Sequence, residues 1–259
     1  VVTINMPNIP EAIICFYALN KIGAVCNMLH PLASEEELKY GIELVDSSYL
    51  VVADVVYGKI KNIKKDLKIK KILYIPVGEG MDPISKLGYF LTEGRKVEKP
   101  YGDDVIPYFR FIARAKFHKT RIKDEGRGAD TAVILHSGGT SGKPKNVVLQ
   151  NRSFVYMTNQ APIMLKKLVP GDTSLAIMPN FHGFGLAVTM HCQIVRGIKV
   201  SLVPQFDAKK LDTLLNRTKP SFFVGVPTLF EALLRLPKFE KADLIIPILL
   251  LQLLLEYKK

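Results

Sequence analysis

The chain has 259 residues, 36 Lys and Arg against 24 Asp and Glu, a formal net charge of +12, and 48% hydrophobic residues. That length suits one or two domains with a sizeable core, and apolar content at this level excludes intrinsic disorder. Scattered Gly and Pro exclude a collagen-like or low-complexity chain, while Cys15, Cys26 and Cys192, widely spaced and without a CxxC, argue against a disulfide framework or zinc site and fit a reducing cytoplasm.

Residues 1–4 read as a strand, with Asn5 and Pro7 at once behind it, so no signal peptide is recognised. A chain that opens on a strand without Met is expected to be cut from something longer. Asn8 is the expected N-cap of a first helix, with Pro10 in its first turn and Gly23 at the position after its C-cap. Ile13, Phe16, Tyr17 and Asn20 are expected to line one side of it. A strand at 24–28 follows, and Ser34 with Glu37 forms a capping box that opens a helix to about residue 45. Strand 49–53 is apolar throughout; a helix at 55–67 and a strand at 71–75 come next. Seven lysines fall between Lys59 and Lys71, with Ile60, Ile63 and Leu67 as an apolar stripe between them, the pattern of a solvated helix face.

Residues 76–128 are less regular; they hold a helix or two without a clear position and a second basic stretch at 110–127. The rhythm then resumes with strand 131–136, a Gly-rich loop, strand 146–150, helix 152–168, strand 173–178, helix 186–196, strand 198–203, helix 208–216, strand 221–226 and helix 228–235. Residues 244–255 are apolar except Pro247 and Gln252, too short for the roughly 20 residues of a membrane span. A buried element or an artefact of truncation is expected there, rather than an anchor. Apolar strands alternating with helices predict an α/β fold with parallel sheets covered by helices.

One segment stands apart, running His136, Ser137, Gly138, Gly139, Thr140, Ser141, Gly142, Lys143, Pro144, Lys145. Glycines let the backbone approach a ligand and turn several N–H groups into one concavity; hydroxyls and ammonium groups add to it. That combination suits a polyphosphate, against the plainer reading of an exposed Gly/Ser turn. It is no Walker A loop, because Gly138 to Gly142 is one residue short and Pro144 follows Lys143 where a hydroxyl is needed. GxGxxG is absent too.

The segment resembles the phosphate-binding loop of the adenylate-forming superfamily of acyl-CoA synthetases, luciferases and nonribosomal adenylation domains. Ser137 to Lys145 match [ST]-[SG]-G-[ST]-[ST]-G-x-P-K position by position, and Asn146 departs where the family usually has Gly. Five of those positions recur by composition with a chance on the order of 10⁻⁶ per start. The resemblance continues through Asn5–Pro7 and Glu11, 19–25, 31–38, 51–53, 147–149 and 152–153. The segment Pro179, Asn180, Phe181, His182, Gly183, Phe184, Gly185 is similar to the family's acyl-pocket stretch with its His, and Gly225, Val226, Pro227, Thr228 to a second wall of that pocket. Coverage is residues 1 to about 243.

The resemblance implies ATP and coenzyme A as co-substrates, Mg²⁺ as cofactor, and a carboxylic acid, fatty or aryl, as substrate. Ser137, Gly138, Gly139, Thr140, Ser141, Gly142, Lys143 and Lys145 would bind the triphosphate, with Thr140 on the metal. His182 would be the catalytic residue at the acyl carboxylate, among Phe181, Gly183, Phe184, Val226, Pro227 and Thr228. On the same footing, residues 1–161 form a first α/β subdomain with the phosphate loop and 162–259 part of a second. The family's later motifs (adenine strand, ribose Asp, metal-associated Glu, C-terminal catalytic Lys) do not occur after Thr228. The chain by itself is therefore expected to be inactive and to self-associate through its truncated surface. Two other readings stay open: a non-catalytic anion-binding piece, and a basic α/β domain that binds nucleic acid through 59–71. No nucleic-acid motif supports the latter, and His30, His118, His136 and His191 offer no catalytic case.

Overall fold

The computed structural model describes residues 1–118, 122–137, 145–164 and 168–234, so the loop at 138–144 and the tail at 244–259 lie outside the described residues. Two compact units make up the chain, Val1–Arg152 and Ser153–Lys259.

The first unit is built on seven strands: β1 (Val2–Asn5), β2 (Cys26–Met28), β3 (Tyr49–Ala53), β4 (Lys71–Ile75), β5 (Val105–Pro107), β6 (Thr131–Ser137) and β7 (Lys145–Gln150). Their order is β5-β4-β3-β1-β2-β6-β7, parallel at every pairing except β6 with β7. Strands buried on both faces explain why 49–53 reads as an unbroken apolar run: Leu50, Val51, Val52 and Ala53 are all buried.

Helix α1 (Pro10–Lys21) shows how local chemistry overrules the simplest cap rule. Proline pushes the residue before it out of helical geometry. Ile9, at φ −122° and ψ 156°, is thus the N-cap without any side-chain bond, not Asn8 as expected. The buried stripe of α1 runs through Ala12, Cys15 and Phe16; Ile13, Tyr17 and Asn20 flank it, half-buried, so the expected face is rotated by about one residue. Gly23 follows the helix at φ +70°, as a residue after a C-cap should.

Helix α2 (Glu35–Glu43) carries the full capping box: Ser34 Oγ accepts from the Glu37 N–H at 3.2 Å, and a Glu37 carboxylate oxygen accepts from the Ser34 N–H at 2.7 Å. Those bonds hold the Glu37 carboxyl below its ordinary range. In α3 (Asp54–Ile63) Val56, Tyr57, Ile60 and Ile63 are buried at helical spacing and the lysines stand outside them. The helix stops at Ile63, and Lys64–Asp66 form a 3₁₀ turn within the stretch expected to continue to 67. Lys61 pairs with Glu98 at 3.0 Å and Lys64 with Asp104 at 2.9 Å. The irregular region resolves into α4 (Pro83–Leu91), β5 and α5 (Tyr108–Ala115); α4 is capped by Asp82, whose carboxylate accepts from the N–H groups of Ile84 and Ser85.

After α6 (Asn151–Met164) the second unit sets β8 (Thr173–Ala176), β9 (Lys199–Leu202) and β10 (Phe222–Phe223) in a parallel sheet of order β10-β8-β9. A π-helical segment, Phe184–His191, runs into α7 (Cys192–Val195); α8 (Leu211–Thr218) and α9 (Pro227–Leu234) complete the unit. Adjacent residues on one strand face opposite layers. Phe223 packs with Leu175, Ile177, Leu211, Leu215 and Leu229, whereas Phe222 packs with Leu168, Ile198 and Val224. Both sheet faces are therefore covered.

Candidate active site

Ser137 and Lys145, the two ends of the phosphate-loop motif, are partners in the β6–β7 ladder, and the Ser137 hydroxyl donates to the Lys145 carbonyl at 3.4 Å. The intervening Gly138, Gly139, Thr140, Ser141, Gly142, Lys143 and Pro144 lie outside the described residues. β7 is exposed along Lys145–Val148, so the ladder is accessible on the side where the motif ends.

A buried polar group, not anticipated from sequence, anchors the start of this motif. Asn27, fully buried on β2, donates from Nδ2 to Thr3 Oγ1 at 3.0 Å and to the Gly41 carbonyl at 3.1 Å. Its Oδ1 lies 2.6 Å from His136 Nε2. Since Asn27 spends both donors elsewhere, its oxygen must accept, so His136 carries its proton on Nε2. Burial holds this imidazole below its ordinary pKa, which keeps it neutral at pH 7. The signal available in sequence was an Asn at the centre of an otherwise apolar strand; an alternation count does not flag it.

In the second unit, β8 and β10 are parallel neighbours in register Phe222↔Ser174 and Phe223↔Leu175. Their chain exits therefore leave from the same edge of the sheet, at the carboxyl ends where α/β sheets hold ligands. After β8 come Phe181, His182, Gly183 and Phe184; after β10 come Val226, Pro227 and Thr228. The topology thus brings the two predicted pocket segments to one sheet edge. Phe181 is buried with its ring 4.8 Å from that of His182. His182, Phe184, Val226, Pro227 and Thr228 are exposed. Desolvation by its neighbours lowers the His182 pKa, so the neutral ring can accept or donate a hydrogen bond to a substrate carboxyl group. His191 lies in the helix beyond and packs edge-on against Phe154 at 5.2 Å, a packing role.

The turn into the π-helical segment depends on Gly185. An added Cβ there would overlap the Pro179 carbonyl oxygen and stand 2.5 Å from its carbon and 2.8 Å from the Met178 oxygen. The His182 N–H bonds the Pro179 carbonyl at 3.2 Å, and the Leu186 N–H bonds the His182 carbonyl at 2.8 Å. The strand exit is thereby folded tightly against the helix that follows, fixing where Phe181 and His182 leave the sheet.

Residues 1–250 match the AMP-binding enzyme family, and the chain belongs to that family. It is 28% identical over 247 residues to a long-chain-fatty-acid–CoA ligase of Bacillus subtilis (strain 168), covering 94% of this chain and 44% of that protein. It is 26% identical over 248 residues to the probable 4-coumarate–CoA ligase 1 of Dictyostelium discoideum, covering 94% of this chain and 43% of the relative. The chain thus spans less than half the length of these relatives. Among solved structures, the anthranilate CoA ligase AuaEII in complex with anthranoyl-AMP superposes with a TM-score of 0.77 at 20% identity, over 94% of this chain and 43% of that one. At that identity the likeness establishes the fold.

Proposed function

We propose that the protein is an AMP-forming acid–CoA ligase of the cytoplasm, acting on a fatty or aryl carboxylic acid, and that residues 1–259 contribute its triphosphate cradle and part of its acyl pocket. The observation that carries this reading is the nine-residue match from Ser137 to Lys145, set between two paired strands of an α/β sheet. Membership of the AMP-binding family and the ligase activities in the relatives' names support it.

In this scheme a substrate carboxylate oxygen attacks the α-phosphorus of ATP and pyrophosphate leaves, giving an acyl-adenylate. The CoA thiolate then attacks the acyl carbonyl and expels AMP. Such transfers ask the protein for positioning and charge stabilisation more than for covalent chemistry. Ser137 and Thr140, Ser141 and Lys145 would hold the β- and γ-phosphates, helped by Lys143 and by the amides of Gly138, Gly139 and Gly142. Among the described residues no group of three or more His, Cys, Asp or Glu is placed to hold a metal ion. A hydroxyl ligand such as Thr140 fits a hard cation that keeps phosphate oxygens and waters as its other ligands. Mg²⁺ bound that way would neutralise charge on the departing pyrophosphate.

His182 would border the substrate carboxylate, with Phe181, Gly183, Phe184, Val226, Pro227 and Thr228 around the acyl group. Nothing charged in this set meets an ammonium group, which favours fatty or aromatic acids over amino acids. The test is acid-dependent ATP–pyrophosphate exchange by the full-length protein with fatty, aryl and amino acid panels. Exchange with fatty or aryl acids supports the reading; exchange with amino acids alone contradicts it. Residues 1–259 assayed alone are expected to form no acyl-adenylate, since the family's adenine, ribose and C-terminal lysine motifs are not among them. Acyl-adenylate above background from that chain would refute this part.

A further inference from the structure

Helix α5 concentrates apolar exposure and positive charge on one short element that the ligase reading leaves without a task. At about 100° per residue, Tyr108, Phe109, Phe111, Ile112 and Ala115 share one arc, while Arg110 and Arg114 project from the opposite side. A helix so divided normally buries its apolar arc. Here no residue of α5 is buried: Phe109 is 63% exposed, Phe111 47% and Ile112 42%. Just past the helix Phe117 is 84% exposed. The Arg110 guanidinium sits 5.8 Å from the Phe109 ring centroid. Between Asp104 and Asp124 the sequence has no acidic residue and six cations, Arg110, Arg114, Lys116, Lys119, Arg121 and Lys123.

We propose that α5, with Phe117 just beyond it, forms a docking surface for an anionic lipid membrane. Charge and apolarity together select this occupant. Exposed aromatic rings gain by entering the headgroup–acyl boundary, and long cationic side chains reach the lipid phosphates beside them. A nucleic acid would use the cations but not the arc of Phe and Ile. A second copy of the chain would set the same cationic face against itself, which like-charge repulsion disfavours. Among the described residues no helix is long and apolar enough to cross a membrane, so docking would be peripheral.

The chain contains no Trp, so Phe117→Trp places one reporter at the proposed contact. We expect the purified chain to co-sediment with vesicles of phosphatidylcholine containing about 30% phosphatidylserine, with a blue shift in the emission of the introduced indole, and to lose binding as salt rises. Vesicles of phosphatidylcholine alone should bind at least about tenfold more weakly. Arg110→Glu with Arg114→Glu, and separately Phe109→Ser with Phe117→Ser, should each weaken binding about tenfold or more without changing the circular dichroism, because the altered side chains are exposed. Equal binding to neutral and anionic vesicles, or no blue shift, overturns the proposal. So does salt-sensitive binding indifferent to loss of both Phe residues, or oligomerisation through this face without vesicle binding.

Discussion

Gly185→Ala is the sharpest test of the second unit, because the neighbours of the missing Cβ are backbone and cannot swing away. With the Pro179 carbon at 2.5 Å, its oxygen closer still, and ordinary contact beginning near 3.4 Å, the exit from β8 or the start of the π-helical segment must shift by more than about 1 Å. Such a shift strains a well-packed region holding Leu186, 2% exposed, and Met190, 1% exposed, at about 1–3 kcal/mol. It also threatens the bonds from His182 N–H to Pro179 and from Leu186 N–H to His182, each contributing about 1 kcal/mol. The expected cost is about 3–5 kcal/mol, read as a fall in the urea midpoint of residues 1–259 followed by circular dichroism. In thermal unfolding it should lower Tm by roughly 6–20 °C. Gly88→Ala is the control: the added Cβ meets nothing within 4 Å on α4, and the helix should gain about 0.5–1 kcal/mol. A Gly185→Ala protein as stable as the parent would show that Pro179 and Gly185 are not in close approach, and the account of how His182 leaves the sheet would fall.

Other outcomes follow from the first unit. Asn27→Leu removes the bonds to Thr3, Gly41 and His136 and strands the Gly41 carbonyl; a loss of about 2–4 kcal/mol in urea unfolding is expected, and a neutral result would refute the network. Ser34→Ala should cost about 1 kcal/mol by removing one half of the capping box, measured the same way. His136 and His191, both half-buried, have folded pKa values lowered by burial, so below about pH 6.5 the unfolded chain binds more protons than the folded one. Stability should therefore rise with pH through that window and fall on acidification, and His136→Gln should flatten the profile. Glu11 and Asp54 act oppositely: burial, first among the causes, raises both carboxyl pKa values. The folded state then keeps protons that the unfolded state has released, so their contribution is lost as pH rises just above about 4. Asp54→Asn should remove its share of that slope in a pH series of melts.

What was legible in the sequence was whatever depends on near neighbours along the chain. The capping box at Ser34 and Glu37, the turn at Gly23, the Ile60 and Ile63 stripe and the apolar run at 49–53 are local consequences of dihedral limits, cap bonds and helical or strand period. The motif from Ser137 to Lys145 was legible for the same reason, being contiguous. The tertiary structure decided matters that need partners distant in sequence. Pro10 and Ile9 settled the start of α1, yet which face of α1 is buried was set by the sheet it packs on. The strand order β5-β4-β3-β1-β2-β6-β7 joins β2 to β6 across more than a hundred residues, and only that pairing brings His136 to Asn27. Likewise Phe181 and Val226 reach one edge because β8 and β10 pair in parallel, with β9 on the far side of β8. Side-chain period specifies an element and its apolar face; which elements meet is fixed by the summed burial and hydrogen bonding of the whole chain, and no window of a dozen residues contains that sum.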